Sequence, residues 1–258
     1  MSCSADFASE PELMRRGRLS LKRPALRLFV FLLAPLLLAS PAIVAQEPAP
    51  ATFPELGATK IREGRLLTVW DVKREQGKTT GLHRHEFDEI SVTLTKGAVK
   101  IGRPDGTWSI EQRRFGSVRF DSKGTVHSEE GLSATPSRAV VFQLKAVEAA
   151  RWPAVMGIPG QFPRVGAVKL FETDRVVVWD QTWTAGERIA RHLHYAETAA
   201  VFLAGGKLRT IDEGRPPNAP FARQPGEVLY ADPPVPLKVP HEEEQVEGSP
   251  RAIWIEFK

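Results

Sequence analysis

Cysteine is almost missing from this chain: Cys3 is the only one in 258 residues. A single thiol excludes an internal disulfide framework and a thiolate metal cluster. Other signatures are absent too. No glycine fingerprint for a dinucleotide, no phosphate loop and no Gly-x-Ser-x-Gly elbow occurs, which removes the nucleotide-binding and serine-hydrolase readings that rest on them. A Ser/His/Asp triad would have to borrow a histidine from the pattern described below. No unbroken apolar run reaches the ~20 residues that span a bilayer.

What is present at the N-terminus is a targeting pattern. Arg15, Arg16, Arg18, Lys22, Arg23 and Arg27 precede the apolar run Leu28–Ala39, and small residues follow, with Ala42 and Ala45 as cleavage positions. A basic region, a short apolar core and a small-residue site predict a secretory signal peptide over residues 1–45. Pro35 and Pro41 interrupt the segment, which favours cleavage over a permanent anchor and predicts no stable membrane insertion afterwards. The start is either Met1 or Met14, and Arg15-Arg16 is a weak twin-arginine match. The expected location is periplasmic or secreted.

Removing the leader changes the charge argument. It carries 6 of the 35 Lys+Arg and 3 of the 31 Asp+Glu, leaving 29 basic against 28 acidic residues. The sequence pI near 9.3 therefore belongs largely to the leader. Without a clustered basic excess, no nucleic-acid partner is expected. Cys3 leaves with the leader as well, so the mature chain tolerates an oxidising compartment.

The rest reads as strands. Short segments such as Ser91–Leu94, Val99–Gly102, Ser117–Phe120 and Ala139–Leu144 alternate with Gly, Pro, Asp and Lys turns, the pattern of an all-β sandwich or barrel. Residues 46–57, rich in Pro, Ala and Glu, are expected to form an extended arm. A Pro- and Gly-containing linker over 149–165 divides two copies, 58–148 and 166–258.

The copies are visible as a repeat. Lys60, Trp70, Asp71, His83 and His85 match Lys169, Trp179, Asp180, His192 and His194, each displaced by 109 residues. Arg138 and Lys145 match Arg251 and Lys258 at 113, and His127 matches His241 at 114. An insertion at Pro233-Pro234-Val235-Pro236 accounts for the difference. A period this long means two copies of one domain, since solenoid repeats run roughly 20–50 residues. Trp70 and Trp179 are expected as repeat-related core aromatics, and Phe87 and Tyr195 beside the histidine pairs as pocket-mouth residues.

All six histidines fall into this repeat, a His-x-His pair and a later single His in each copy. Alternate side chains of a strand face one side, so His83 and His85 point inward together, as do His192 and His194. Glu89 follows a bend at Glu86-Phe87-Asp88, and His127 follows the turn Asp121–Gly124. Three neutral imidazoles and a carboxylate suit a divalent transition metal, with Fe, Mn, Ni, Cu and Zn all compatible. Glu89 is also a candidate catalytic base. Arg84 and Arg191 are expected to face outward.

These residues resemble a known superfamily. Gly81-Leu-His83-Arg-His85-Glu-Phe-Asp-Glu89, with Gly97, looks like the first cupin motif. Gly116–His127 looks like the second, with Ser122 where proline is usual and Gly131 where asparagine often stands. With its repeat, the chain is similar to the bicupins over residues 58–258. The resemblance implies two tandem jelly-roll (double-stranded β-helix) barrels and assigns His83, His85, Glu89 and His127 as ligands. The second copy departs from the motif: Thr198 stands where Glu89 stands, and Glu197 is one place out of phase, facing away in a regular strand and inward only if a bulge turns it. His192, His194 and His241 are retained as a three-histidine site, and Glu242, Glu243 and Glu244 are read as a solvated loop.

The expected function is that of an exported metal-binding bicupin acting as a metal-dependent oxidoreductase, dioxygenase-like, on a small oxygenated organic substrate. The alternative is a non-catalytic protein that binds a small ligand. The sequence leaves homo-oligomer formation open.

Overall fold

A computed structural model describes residues 49–231 and 239–258. The leader and the proline-rich insertion lie outside the described residues. Among those described, every regular element is a strand, and no helix is long and apolar enough to cross a membrane.

The N-terminal half holds nine strands: β1 (Ala58–Glu63), β2 (Leu67–Arg74), β3 (His83–Arg84), β4 (Asp88–Thr95), β5 (Gly97–Gly102), β6 (Trp108–Arg113), β7 (Val118–Asp121), β8 (Val126–Gly131) and β9 (Ser137–Leu144). They form a five-stranded antiparallel sheet, β1-β2-β9-β4-β7, and a four-stranded one, β3-β8-β5-β6. The C-terminal half holds β10 (Ala167–Glu172), β11 (Val176–Thr182), β12 (Ile189–His192), β13 (Thr198–Asp212), β14 (Phe221–Arg223), β15 (Val228–Tyr230) and β16 (His241–Phe257). Here β13 and β16 continue through what the first half breaks into β4/β5 and β8/β9, so one seven-stranded sheet results. Register shifts near Phe202, Ala204 and Gly206 let the long pair bend. A Cβ on Gly206 would lie 2.4 Å from Glu247 O, so the bend needs glycine there.

The strand period decides what goes where. On β4, Ile90 and Val92 point away from the histidines, while Glu89, Ser91 and Thr93 line the same interior as them. Ile90, Val92, Val140 and Phe142 join Val178, Val201, Ile253 and Ile255 in one apolar cluster. The largest core is therefore shared between the halves. Inside each half lies a smaller one, around Trp70 and Val141 in the first and Trp179, Trp183, Phe202 and Trp254 in the second. Trp70 and Trp179 are core aromatics, as expected.

Contacts across the shared core are reciprocal. Arg65 pairs with Glu197, and Arg175 lies 3.6 Å from Asp88; the two carboxylates are repeat equivalents, and the arginines stand one place apart in the repeat. Gly116 packs on Leu203 and Arg251, while Gly226 packs on Leu94 and Arg138. Because neither half covers its own apolar face, the two are expected to unfold together. Phe142→Ala removes a fully buried ring from the shared cluster and should cost about 3–5 kcal/mol. Urea unfolding followed by tryptophan fluorescence should show one transition shifted as a whole; two separate transitions would refute the shared core.

The repeat also extends further than the sequence suggested. The arm is docked: Thr52 N and Oγ1 donate to Arg84 O, both at 3.0 Å, and Phe53 stacks on Trp70 with centroids 4.7 Å apart. The end of the linker does the same in the second half, where Phe162 stacks on Trp179 at 5.0 Å. Gly57 and Gly166 follow these segments at φ +79° and +75°, where a Cβ would lie 2.2 and 2.1 Å from a carbonyl oxygen. Both segments thus pack against the half that follows them.

Candidate metal centres

In the N-terminal half, β3 and β8 pair so that His83 lies directly opposite His127. His85 follows β3, with its backbone tied by His85 N donating to Thr125 O at 2.9 Å. The ring centroids of His83, His85 and His127 lie 4.7–5.6 Å apart, and the three ligand atoms fall within 4.8 Å of one another. His83 Nδ1 donates to Gly81 O at 3.2 Å, because a carbonyl can only accept. Its Nε2 is therefore the unprotonated nitrogen, the form a metal requires.

Burial sets the charge of these rings. It lowers the pKa of His83, brings His85 down to about 4 and brings His127 down to about 3. All three are neutral at pH 7. Glu89 lies beside the cluster rather than in it, a departure from its assigned ligand role. Its Oε2 is 3.2 Å from His85 Nδ1, out of line for a hydrogen bond, and its Oε1 accepts from Gln143 Nε2 at 3.1 Å. Gln143 Oε1 in turn accepts from Trp70 Nε1 at 2.7 Å. Burial pushes the Glu89 carboxyl up to about 8. A cavity of about 30 Å³ adjoins the three rings, Glu89, Arg119 and Glu129.

Those shifts have opposite consequences for the metal-free chain. The histidines bind protons less readily folded than unfolded, so their contribution is lost as pH falls from about 6.5 toward the lowered values. Glu89 binds its proton more readily when folded, so its contribution is full below about 4.5 and lost as pH rises toward about 8. Between pH 7 and 5 the two effects oppose. Glu89→Gln removes the second, so the variant should lose stability on acidification more steeply than the parent, by about 2–3 kcal/mol over those two pH units. Urea titrations of the metal-free proteins at pH 7, 6 and 5 measure it, and parallel pH profiles would contradict the buried, protonated carboxyl.

Further inside, Glu129 is fully buried among arginines. Arg74 Nε, Arg119 Nη2 and Arg113 Nη2 donate to it at 2.7, 2.8 and 2.9 Å. Burial alone would raise its carboxyl, but the three positive charges overcome that and hold it well below the usual range.

The C-terminal half repeats the histidine geometry. His192 on β12 faces His241 on β16, the three rings lie 4.4–5.4 Å apart, and His192 Nδ1 donates to Ala190 O at 2.9 Å. Burial lowers His194 to about 3, and its Nε2 is buried without a partner. The carboxylate differs. Glu243 joins the three ligand atoms within the same 4.8 Å limit, its Oε1 3.5 Å from His192 Nε2 and 3.8 Å from His241 Nε2.

Glu243 corrects the solvated-loop reading of residues 242–244, which are part of strand β16. Period-2 alternation from the inward His241 turns Glu243 inward too. The signal was in the chain, since Glu129 stands two places after His127 in the same way. Glu197 does face away, accepting from Arg65 and Ala150 N. Tyr195 ties down the linker through Val155 N and Ile158 O rather than lining a pocket mouth.

Ligand bonds of about 2.0–2.1 Å place ligand atoms roughly 3–4 Å apart. His85 Nε2 and His127 Nε2 are 3.2 Å apart, and the orphaned His194 Nε2 points to a partner of the same kind. Both clusters suit a divalent transition metal.

Solved structures show the same architecture. Oxalate decarboxylase from Bacillus subtilis, in a structure at pH 4.6, superposes with a TM-score of 0.50 at 17% identity, covering 78% of this chain and 71% of that one. A second structure of that enzyme, from work on its Mn(II) centres, gives 0.50 at 15%, covering 78% and 72%. The fold is that of the cupins. A cupin domain from Bordetella pertussis is 24% identical over 39% of this chain and all of its own, with a TM-score of 0.33. No protein-family model matches the chain, and no curated protein matches it. At these identities the cupin likeness concerns the fold alone.

Proposed function

We propose that the chain is an exported metalloprotein of the bicupin type whose N-terminal centre carries a metal-dependent oxidoreductase activity, dioxygenase-like, on a small oxygenated organic substrate. The observation that carries this reading is the convergence of three buried, neutral imidazoles beside a cavity and a buried carboxyl, Glu89, that burial keeps protonated. His83, His85 and His127 would hold the metal, and Glu89 is near enough to join them by a side-chain rotation. A bound divalent ion supplies Lewis acidity and, for Fe, Mn or Cu, a redox couple.

The chain's own groups define the rest. Gln143 orients Glu89, whose Oε atoms can accept or return a proton at the cavity wall. The cavity of about 30 Å³ holds only a water or two, so the ligand is a molecule of few heavy atoms. Glu129, Glu55, Glu111 and Asp121 pair with the three guanidiniums around that space, so the interior is polar and its positive charge is offset. Export rests on the leader pattern of residues 1–45.

The deciding experiment is metal analysis of protein isolated from its native compartment, with N-terminal sequencing, followed by dioxygen uptake on adding organic acids of few heavy atoms. A redox-active metal, a start near residue 46 and substrate-dependent uptake are expected. Zinc alone, or saturable ligand binding that survives metal removal without product, would replace catalysis by binding.

A further inference from the structure

Glu129 and Glu243 are repeat equivalents and both are buried, yet different cations neutralise them. In the N-terminal half the cations are three strand arginines, and Glu129 stands outside the cluster of imidazole ligand atoms. Those arginines therefore do not contend for the histidines. The repeat replaces Arg74 by Trp183 and Arg119 by Leu229. Arg223, the equivalent of Arg113, turns to Glu227 and packs on Phe221 and Phe202. None of the three positions supplies a cation to Glu243.

The replacement cation comes from the linker. Arg164 stands where the N-terminal arm has Glu55, and its side chain is only 5% exposed. Its Nε donates to Gln181 Oε1 and its Nη1 to Glu243 Oε1, both at 2.9 Å. The same Nη1 lies 3.4 Å from His192 Nε2. The rings of Phe162, Trp183 and Trp254 surround its Cζ at 4.9–5.7 Å, and Trp183 Nε1 donates to the other oxygen of Glu243 at 2.7 Å. Since His192 Nδ1 carries the proton, its Nε2 has one lone pair to give. The guanidinium is directed at that lone pair and at the carboxylate oxygen nearest it.

We propose that Arg164 is the resident counter-cation of the C-terminal centre and competes with a metal ion for Glu243 and His192. The inference rests on the metal reading above. A divalent ion among His192, His194 and His241 would meet a fixed positive charge at short range in a poorly screened interior, so loading requires the guanidinium to leave Glu243. The N-terminal centre has no such occupant and fills first.

The test uses the full mature chain, stripped of metal and titrated with manganese(II), followed by calorimetry and by the electron paramagnetic resonance signal of the free ion. Two classes of site are expected, the second at least tenfold weaker. His83→Ala should remove the tight class. Arg164→Met should strengthen the weak class to within about threefold of the tight one; if that variant misfolds, Arg164→Gln, which keeps a hydrogen-bonding group without the charge, decides in its place. Equal affinities in the parent chain, or a weak class unmoved by loss of the guanidinium, would overturn the competition while leaving the metal reading intact. No uptake at either centre would overturn both.

Discussion

His127→Ala is expected to weaken metal binding at the N-terminal centre by at least about 100-fold, since even groups that only orient metal ligands are worth 10–100-fold. The effect should be large because His127 is the hub of its cluster. It faces His83 across the β3–β8 ladder and brings its Nε2 to 3.2 Å from that of His85. Without it, two imidazoles remain, and Glu89 is held to one side of them by Gln143. Equilibrium dialysis with manganese(II) should show the tight class gone and the C-terminal class unchanged. The converse variant, His241→Ala, should spare the tight class. Retention of tight binding in His127→Ala would mean that the ion sits elsewhere.

Glu129→Gln should be the most destabilising single change at the polar interior, at about 3–5 kcal/mol. Arg74, Arg113 and Arg119 all donate to this one carboxylate, so its loss leaves buried guanidiniums short of countercharge. Compensation is available but incomplete. Glu55, raised to about 7 by burial, already pairs with Arg74, and Asp121, also raised by burial, is beside Arg119. With Glu129 neutral both should ionise more readily, taking up part of the positive charge. For a fold whose total stability is 5–15 kcal/mol, the residual cost should appear as a clear drop in the urea midpoint. A variant within about 1 kcal/mol of the parent would show that the arginines find other partners.

Much of the site was legible because strand chemistry is written with period two. His-x-His on one face and Glu197 out of phase follow from alternation alone; the same rule turns Glu243 inward two places beyond His241, which the solvated-loop reading missed. Glu89 marks the limit of that reading. The motif places it correctly in the chain and on the inward face, but Gln143, from the neighbouring strand β9, holds its carboxylate to one side of the cluster. Arg164 was hidden for a different reason. A proline-flanked arginine in a linker looks solvated until the linker is seen to dock, and its role depends on Trp183 and Glu243, 19 and 79 residues away.

By itself, the order of residues determined the strand content, the duplication and the inward facing of all six histidines, since each depends on local spacing repeated at a fixed offset. Which faces the halves share, which carboxylate approaches which imidazoles and which cation sits on Glu243 were decided only when distant strands came together. Alternation tells a side chain which side of its sheet it occupies; the identity of its neighbours there is set by register and docking, and burial turns those neighbours into shifted charges.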